Sequence, residues 1–382
     1  MAAHAKSEAK RRRWPWVVGL LTVALLAGGG ALGYALTRDA GASNGTPSGG
    51  SATPTTSNLP FAVASTNPAA GAQVSPADEL SVSFTQALSS TSPLPVLTPE
   101  IPGQWQRSSP SSLRFVATSP IVPGTAINLR VPAGTDGVRA ASGARLAADA
   151  SIDFSIAPGS TLLLQQLLAE AGYLPLSFTA STATPTTSQV AVTRAGRFTW
   201  RFKDLPESLT KLWVEGEPNV IMKGALMRFQ DQQKLTADGS AGPDTWAKLT
   251  DFVAKGQYNP DPYNYVTVQL AKPQTVRVYS NGKQAYQALA NTGVPGADTR
   301  LGTFPVYLRY LTQTMRGTNP DGSTYVDPGI PWISYFDGGE ALHGFPRPGY
   351  GYPQSNGCVE LTEPDAKAIW PMTPIGTLVT VF

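Results

Sequence analysis

The spacing of apolar residues divides the chain into segments with different predicted secondary structure. Residues 14–37 form an apolar run without a charged side chain, and about 20 such residues suffice for a helix to cross a bilayer. From 61 to 157, short alternating runs separated by Pro and Gly predict strands. Between 160 and 256 the apolar residues recur every three or four positions, which predicts helices. Strand patterning returns after 263, so the sequence predicts a multidomain, mainly β protein.

Charges beside the apolar run predict its orientation. The residues before it include five cations, Lys6, Lys10, Arg11, Arg12 and Arg13, and positive flanks stay in the cytoplasm. We therefore expect a cytoplasmic tail over 1–13, a transmembrane helix over 14–37 and a single-pass topology in the cell membrane, with the carboxyl-terminal part outside. A cleaved signal peptide is the alternative, since small residues occupy 27–35. Residues 38–60, rich in Gly, Ser, Thr and Pro, predict a flexible linker.

The first folded segment, 61–157, reads as a small β-sandwich. Its predicted strands lie at 80–84, 112–116, 126–131 and 151–156, each bounded by turn residues. The run Asn-Pro-Ala-Ala-Gly-Ala at 67–72, which leads into the first of these strands, resembles the opening of bacterial immunoglobulin-like modules. This resemblance implies an immunoglobulin-like sandwich.

Residues 160–256 read as a helical module. Two apolar faces define its helices: Leu164, Leu167, Leu168 and Ala171, then Ile221, Ala225, Leu226 and Phe229. The run Asp-Gly…Gly-Pro…Thr-Trp…Leu at 238–249 resembles peptidoglycan-binding helical modules, with Trp246 expected in the core. An insertion at 176–215 containing a strand-like segment at 197–202 departs from that pattern. Glycan binding and a structural spacer role both remain open.

The chemistry centres on the single cysteine, Cys358. Of the two histidines in the chain, His4 lies in the predicted cytoplasmic tail, which leaves His343 alone on the outer side. A lone thiol cannot form an intramolecular disulfide; it is either an inert buried residue or a nucleophile that needs a base such as histidine. Gly357 permits a sharp turn that would aim backbone N–H groups at an oxyanion.

The segments Leu-His-Gly at 342–344 and Ser-Asn-Gly-Cys-Val-Glu-Leu at 355–361 resemble the L,D-transpeptidase catalytic domain over residues 263–382. The expected fold class is therefore an immunoglobulin-like sandwich, a small helical peptidoglycan-binding-like module with a β insertion, and a C-terminal, mostly β L,D-transpeptidase catalytic domain. Within that domain, Asn-Gly at 281–282 between two apolar runs predicts a tight hairpin.

The resemblance assigns roles to particular residues. It implies that Cys358 is the acyl-accepting nucleophile and His343 its base, with the Gly344 carbonyl orienting the imidazole. The backbone amides of Gly357 and Cys358 would hold the oxyanion. Candidate substrate-binding residues fall where the family has its lid and donor-peptide groove: Tyr325, Gly338 and Gly339.

Two positions depart from the family pattern. Asn356 stands where the family has a second histidine; it cannot titrate, but it can donate a hydrogen bond that positions the loop. Ser355 is expected to be a structural loop residue. Glu360 replaces an Arg or Asn, and we hypothesise that it pairs with a free amine on the acceptor peptide.

The implied reaction is acyl transfer from a tetrapeptide stem, with release of D-alanine and formation of a cross-link between two third residues. By the same resemblance, partners are peptidoglycan stem peptides and carbapenem-type inhibitors, and no cofactor is required. One outer histidine and one cysteine are too few for a zinc site, and a net charge of +3 does not indicate nucleic-acid binding. A catalytically degenerate wall-binding anchor remains the alternative.

Overall fold

The computed structural model describes residues 59–181 and 190–382. The predicted cytoplasmic tail, the predicted transmembrane helix at 14–37 and almost all of the predicted linker lie outside these residues and stay predictions. Within the described ranges, no helix combines the length and the apolar character needed to cross a bilayer.

The first described segment is a pair of four-stranded sheets. Their strand orders are β1-β3-β6-β5 and β2-β8-β7-β4. The strands are β1 Val63–Asn67, β2 Gln73–Val74, β3 Leu80–Phe84, β4 Val96–Thr98, β5 Gly103–Ser109, β6 Ser112–Ala117, β7 Ala126–Val131 and β8 Ala150–Ile156. Alternate residues such as Val82, Leu129 and Val131 are fully buried in one core, as period-two side chains require. The four predicted strands are confirmed; the immunoglobulin-like relationship stays a prediction.

Four α-helices follow in the described residues between 160 and 256. They are α1 Thr161–Glu170, α2 Glu207–Thr210, α3 Val220–Gln232 and α4 Pro243–Ala254. Side chains that precede the helices accept hydrogen bonds from free backbone N–H groups, as the Ser160 hydroxyl does at α1 and the Asn219 amide oxygen at α3. Pro243 occupies the first turn of α4, where its missing N–H costs nothing. Both predicted apolar faces are buried in one cluster together with Trp246, which is a core residue as expected.

The insertion completes the helical core. It forms an antiparallel hairpin of β9 Leu176–Ala180 and β10 Gly196–Trp200, so the strand predicted at 197–202 is displaced toward its amino end. Phe198 and Trp200 pack against the buried cluster of the helices. The hairpin therefore extends the apolar core of this module.

The remaining residues form two sheets that share a core with α5. A five-stranded sheet has the order β13-β12-β11-β19-β14, and a four-stranded sheet has the order β15-β16-β17-β18. The elements are β11 Asn264–Gln269, β12 Thr275–Ser280, β13 Lys283–Leu289, β14 Gly302–Pro305, β15 Leu308–Thr318, β16 Thr324–Asp337, β17 Glu340–Gly344, β18 Val359–Leu361, α5 Glu363–Ile369 and β19 Leu378–Val381. Val266, Phe336 and Leu361 meet in the shared core. The predicted hairpin is confirmed, with φ of 49° at Asn281 and 80° at Gly282.

The helical module packs directly on the carboxyl-terminal sheets. A chain of hydroxyl contacts runs from Ser208 through Tyr265 and Thr380 to Thr303, with separations of 3.0, 2.7 and 2.6 Å. Near it, α3 approaches the turn before β19 so closely that a Cβ built on Gly224 would lie 2.5 Å from the Gly376 carbonyl oxygen. This close approach holds the helical module against the carboxyl-terminal sheets.

Replacing Gly224 by alanine tests that approach. Helix propensity alone favours alanine by about 1 kcal/mol in a helix interior, whereas the contact with backbone that cannot retreat predicts a net loss of about 1–3 kcal/mol. Urea unfolding of Gly224→Ala against the parent measures the sign. An unchanged or higher unfolding midpoint would show that the two elements are not in close contact.

Candidate active site

The parallel pairing of β17 with β18 sets the geometry of the site. His343 lies opposite Glu360 in this register, and Cys358 precedes Glu360 by two residues. Because side chains alternate along a strand, residues two apart share a face. All three side chains line one pocket. The opposite wall comes from the long β15–β16 hairpin.

His343 is buried and held in one tautomer. Its Nδ1 lies 3.0 Å from the Gly344 carbonyl oxygen; a carbonyl only accepts, so Nδ1 carries the proton and Nε2 has the free lone pair. Burial is the largest influence and lowers the pKa of His343 below 6.5, while the Gly344 contact and Glu360 raise it and Arg347 lowers it. The imidazole is therefore a neutral base at neutral pH.

Cys358 rests as a protonated thiol. Its Sγ lies 3.6 Å from the Gly339 carbonyl oxygen, to which the thiol donates. Burial raises the pKa of Cys358 to about 12, with smaller increases from Glu360 and Glu340 and an opposing hydrogen bond from the Ala341 backbone. Nucleophilic attack therefore requires removal of the thiol proton by a base.

The loop before Cys358 is fixed by its own side chains. Gly357 has φ of +104°, a conformation that favours glycine. The Ser355 hydroxyl donates to the Cys358 carbonyl and accepts from the Gly357 N–H at 3.2 Å, so it lies in the framework of the loop. Asn356 donates to Asn319 Oδ1 on the β15–β16 hairpin at 2.6 Å. Among the described residues, the Cys358 N–H has no acceptor and is the amide available to an oxyanion.

In this structure the Glu360 carboxylate, which we hypothesised to bind an acceptor amine, already has a cationic partner. Arg347 makes two hydrogen bonds to the Glu360 carboxylate, Nε to Oε2 at 2.8 Å and Nη2 to Oε1 at 2.7 Å. Glu360 is only 4% exposed. The two hydrogen bonds from Arg347 compensate the charge of the Glu360 carboxylate, which disfavours the hypothesis. Sequence reasoning missed Arg347, although it is the one cation between His343 and Cys358.

The three predicted substrate residues occupy different places. Tyr325 lines the pocket. Gly339 contacts the thiol through its carbonyl, whereas the Gly338 carbonyl accepts a hydrogen bond from the Tyr307 hydroxyl. Sequence reasoning also missed Asp327, which lines the pocket from β16.

Family models match two parts of the chain. Residues 263–381 match the L,D-transpeptidase catalytic domain, named YkuD. The chain therefore carries an L,D-transpeptidase catalytic domain. Residues 215–249 match a peptidoglycan binding domain, which corresponds to α3 and most of α4. The two matches place a transpeptidase catalytic domain next to a domain described as peptidoglycan binding.

Solved L,D-transpeptidases are also similar to the chain. The catalytic domain of the Enterococcus faecium enzyme is 29% identical over 31% of this chain and 96% of that chain, with a TM-score of 0.29. A Mycobacterium smegmatis L,D-transpeptidase is 12% identical over 85% and 100%, with a TM-score of 0.30. L,D-transpeptidase 3 of Mycobacterium tuberculosis is 14% identical over 84% and 98%, with a TM-score of 0.29. No curated protein matches the chain.

The protonation states predict the pH dependence of thiol acylation. Because the pKa of His343 is lowered, its base form persists to below pH 6.5, and the rate should fall only on the acid side of that value. With the pKa of Cys358 at about 12, the rate should not climb between pH 7 and 9. Carbapenem acylation rates across this range provide the measurement. A rate that rises through pH 8 would indicate a thiol that ionises by itself.

Arg347→Met should destabilise the L,D-transpeptidase domain by about 3–5 kcal/mol, because it leaves the Glu360 carboxylate buried without a partner. The double variant Arg347→Met/Glu360→Met should recover most of that loss. Arg130→Met is the control, since its partner Asp149 is 46% exposed and exposed pairs contribute about 0–1 kcal/mol. Urea unfolding of the four proteins is the measurement, and equal losses in both single variants would contradict the assignment.

Proposed function

We propose that this enzyme forms 3-3 cross-links in peptidoglycan by acyl transfer from tetrapeptide stems through Cys358. The observation that carries the proposal is the presence of a neutral imidazole and a protonated thiol in one pocket. Each is in the state from which general-base transfer begins. The carbapenem complexes among the solved L,D-transpeptidases support the further proposal that carbapenems acylate the same thiol.

In the first half-reaction, His343 Nε2 takes the thiol proton as Sγ attacks the carbonyl carbon of the third stem residue. The tetrahedral oxyanion receives a hydrogen bond from the Cys358 N–H. Collapse breaks the peptide bond, and the imidazolium returns its proton to the leaving amine of D-alanine. A thioester on Cys358 remains, and the imidazole is neutral again.

In the second half-reaction, an amine of another stem attacks the thioester carbon. His343 accepts a proton from that amine, and the thiolate leaves as the new amide bond forms. The imidazolium then returns its proton to the thiolate. Each cross-link releases one D-alanine, and a water molecule in place of the amine would yield a tripeptide.

Membrane attachment belongs to the same proposal. The apolar segment at 14–37 would anchor the enzyme in the cell membrane, with the transpeptidase domain on the cell-wall side. The peptidoglycan binding match at 215–249 supports a role for the helical module next to the wall. Its direct packing on the catalytic sheets means that any glycan it binds would lie at a fixed distance from Cys358.

Intact-mass analysis of the purified full-length chain tests the nucleophile. One carbapenem should add its whole mass, because opening of the β-lactam ring releases no leaving group, and Cys358→Ala should abolish the adduct. His343→Asn should slow acylation by about 10²–10⁴-fold. Muropeptide analysis with tetrapeptide stems should give one D-alanine per dimer.

A wall-binding anchor without activity is the competing outcome of this experiment. Such a protein would retain binding to peptidoglycan, gain no carbapenem adduct and release no D-alanine. Circular dichroism of Cys358→Ala serves as the control for folding, since the substitution removes one atom from a half-buried side chain.

A further inference from the structure

The charges that line the pocket do not cancel. Arg347 compensates Glu360 through two hydrogen bonds, and burial keeps His343 neutral. Asp327 also lines the pocket, and no described residue donates a hydrogen bond to its carboxylate or forms an ion pair with it. One negative charge therefore faces the space next to the nucleophile.

Other acidic groups near the thiol are already engaged. Glu340 accepts the backbone N–H of Arg300 at 3.1 and 3.2 Å. Asp337 pairs with the Arg300 guanidinium at 3.0 Å. Among the described residues, Asp327 is the acid lining the pocket whose carboxylate has neither a hydrogen-bond donor nor an ion-pair partner.

Apolar side chains lie beside Asp327 in the pocket. Met315 lies opposite it in the β15–β16 register, and Ile330 is 4% exposed on the same wall. Phe345 lines the pocket from the other side. A carboxylate with apolar side chains beside it is complementary to an alkyl chain that ends in a cation.

We infer that Asp327 determines specificity for the acceptor by binding the ammonium group of a diamino acid side chain, whose alkyl part packs on the surface of Met315 and Ile330. This inference rests on the proposed function, because the amine must approach the thioester on Cys358. Two protons leave the ammonium during transfer: one ends on the Cys358 thiol and one in solvent. Asp327 takes the role that the sequence had suggested for Glu360, since the Glu360 charge is already compensated.

Asp327→Asn in the full-length enzyme tests the inference. The concentration of acceptor needed for half-maximal cross-linking should rise about tenfold, as the loss of a charge-assisted hydrogen bond predicts. The ratio of dimer to hydrolysed tripeptide should fall in parallel. Carbapenem acylation should stay within about twofold of the parent, because the acceptor takes no part in that step, and Asp327→Glu should restore part of the ratio.

Two controls separate charge recognition from structural damage. Asp321→Asn removes the same charge from the turn of the same hairpin, where the Asp321 carboxylate accepts hydrogen bonds from Ser323, and should leave the ratio unchanged. Hydroxylamine, a small acceptor that is uncharged at neutral pH, should be used equally well by the parent and by Asp327→Asn.

An unchanged dimer ratio in Asp327→Asn overturns the inference, as does an equal loss with hydroxylamine. A parallel fall in carbapenem acylation would also overturn the inference, because it would show that Asp327 acts in donor binding or in folding. Failure of the parent enzyme to form any dimer or thioester is a different result, since it refutes the proposed function and this inference together.

Discussion

The parallel pairing of β17 and β18 is the constraint on which the active site depends. Two parallel strands cannot be joined by a tight turn and need a crossover of a dozen or more residues, which here is the helix-free segment 345–358. Asn291 holds this segment by donating to the Gly349 carbonyl and accepting from the Gly351 N–H, both at 3.1 Å. Asn291 is fully buried and its backbone exchanges hydrogen bonds with Glu360. The crossover therefore returns Cys358 to His343 with a fixed register.

Burial of this site determines the charge states of its groups. Removing an imidazole and a thiol from water favours their neutral forms, so the pair rests uncharged and the proton moves only when a substrate is attacked. A buried carboxylate at Glu360 would disturb this balance by stabilising imidazolium. Arg347 offsets that effect, and its two hydrogen bonds to Glu360 also fix the crossover to β18. One ion pair thus contributes both to loop geometry and to the acid–base state.

The helical module is part of the same packed unit as the transpeptidase sheets. Hydroxyl contacts from Ser208 to Thr303 and the close approach of Gly224 to Gly376 tie α2 and α3 to β11, β14 and β19. The β9–β10 insertion fills the helical core with Phe198 and Trp200. A module fixed in this way holds its outer surface at a set distance from the pocket. That distance is set whether the module binds glycan or acts as a spacer.

Local patterns in the sequence determined many of the secondary-structure elements and indicated cysteine–histidine chemistry. Some features depend only on residues within a few positions of each other, and these could be predicted from the sequence. They include the hairpin at Asn281-Gly282, the start of α4 at Pro243 and the buried helix face with Leu167 and Leu168. The single cysteine, Cys358, and the nearby histidine, His343, were equally visible in the sequence. Only the tertiary structure decided that Arg347 neutralises Glu360 and that Asp327 keeps an uncompensated charge. Those facts depend on register between strands and on burial, which bring together side chains that are distant in sequence.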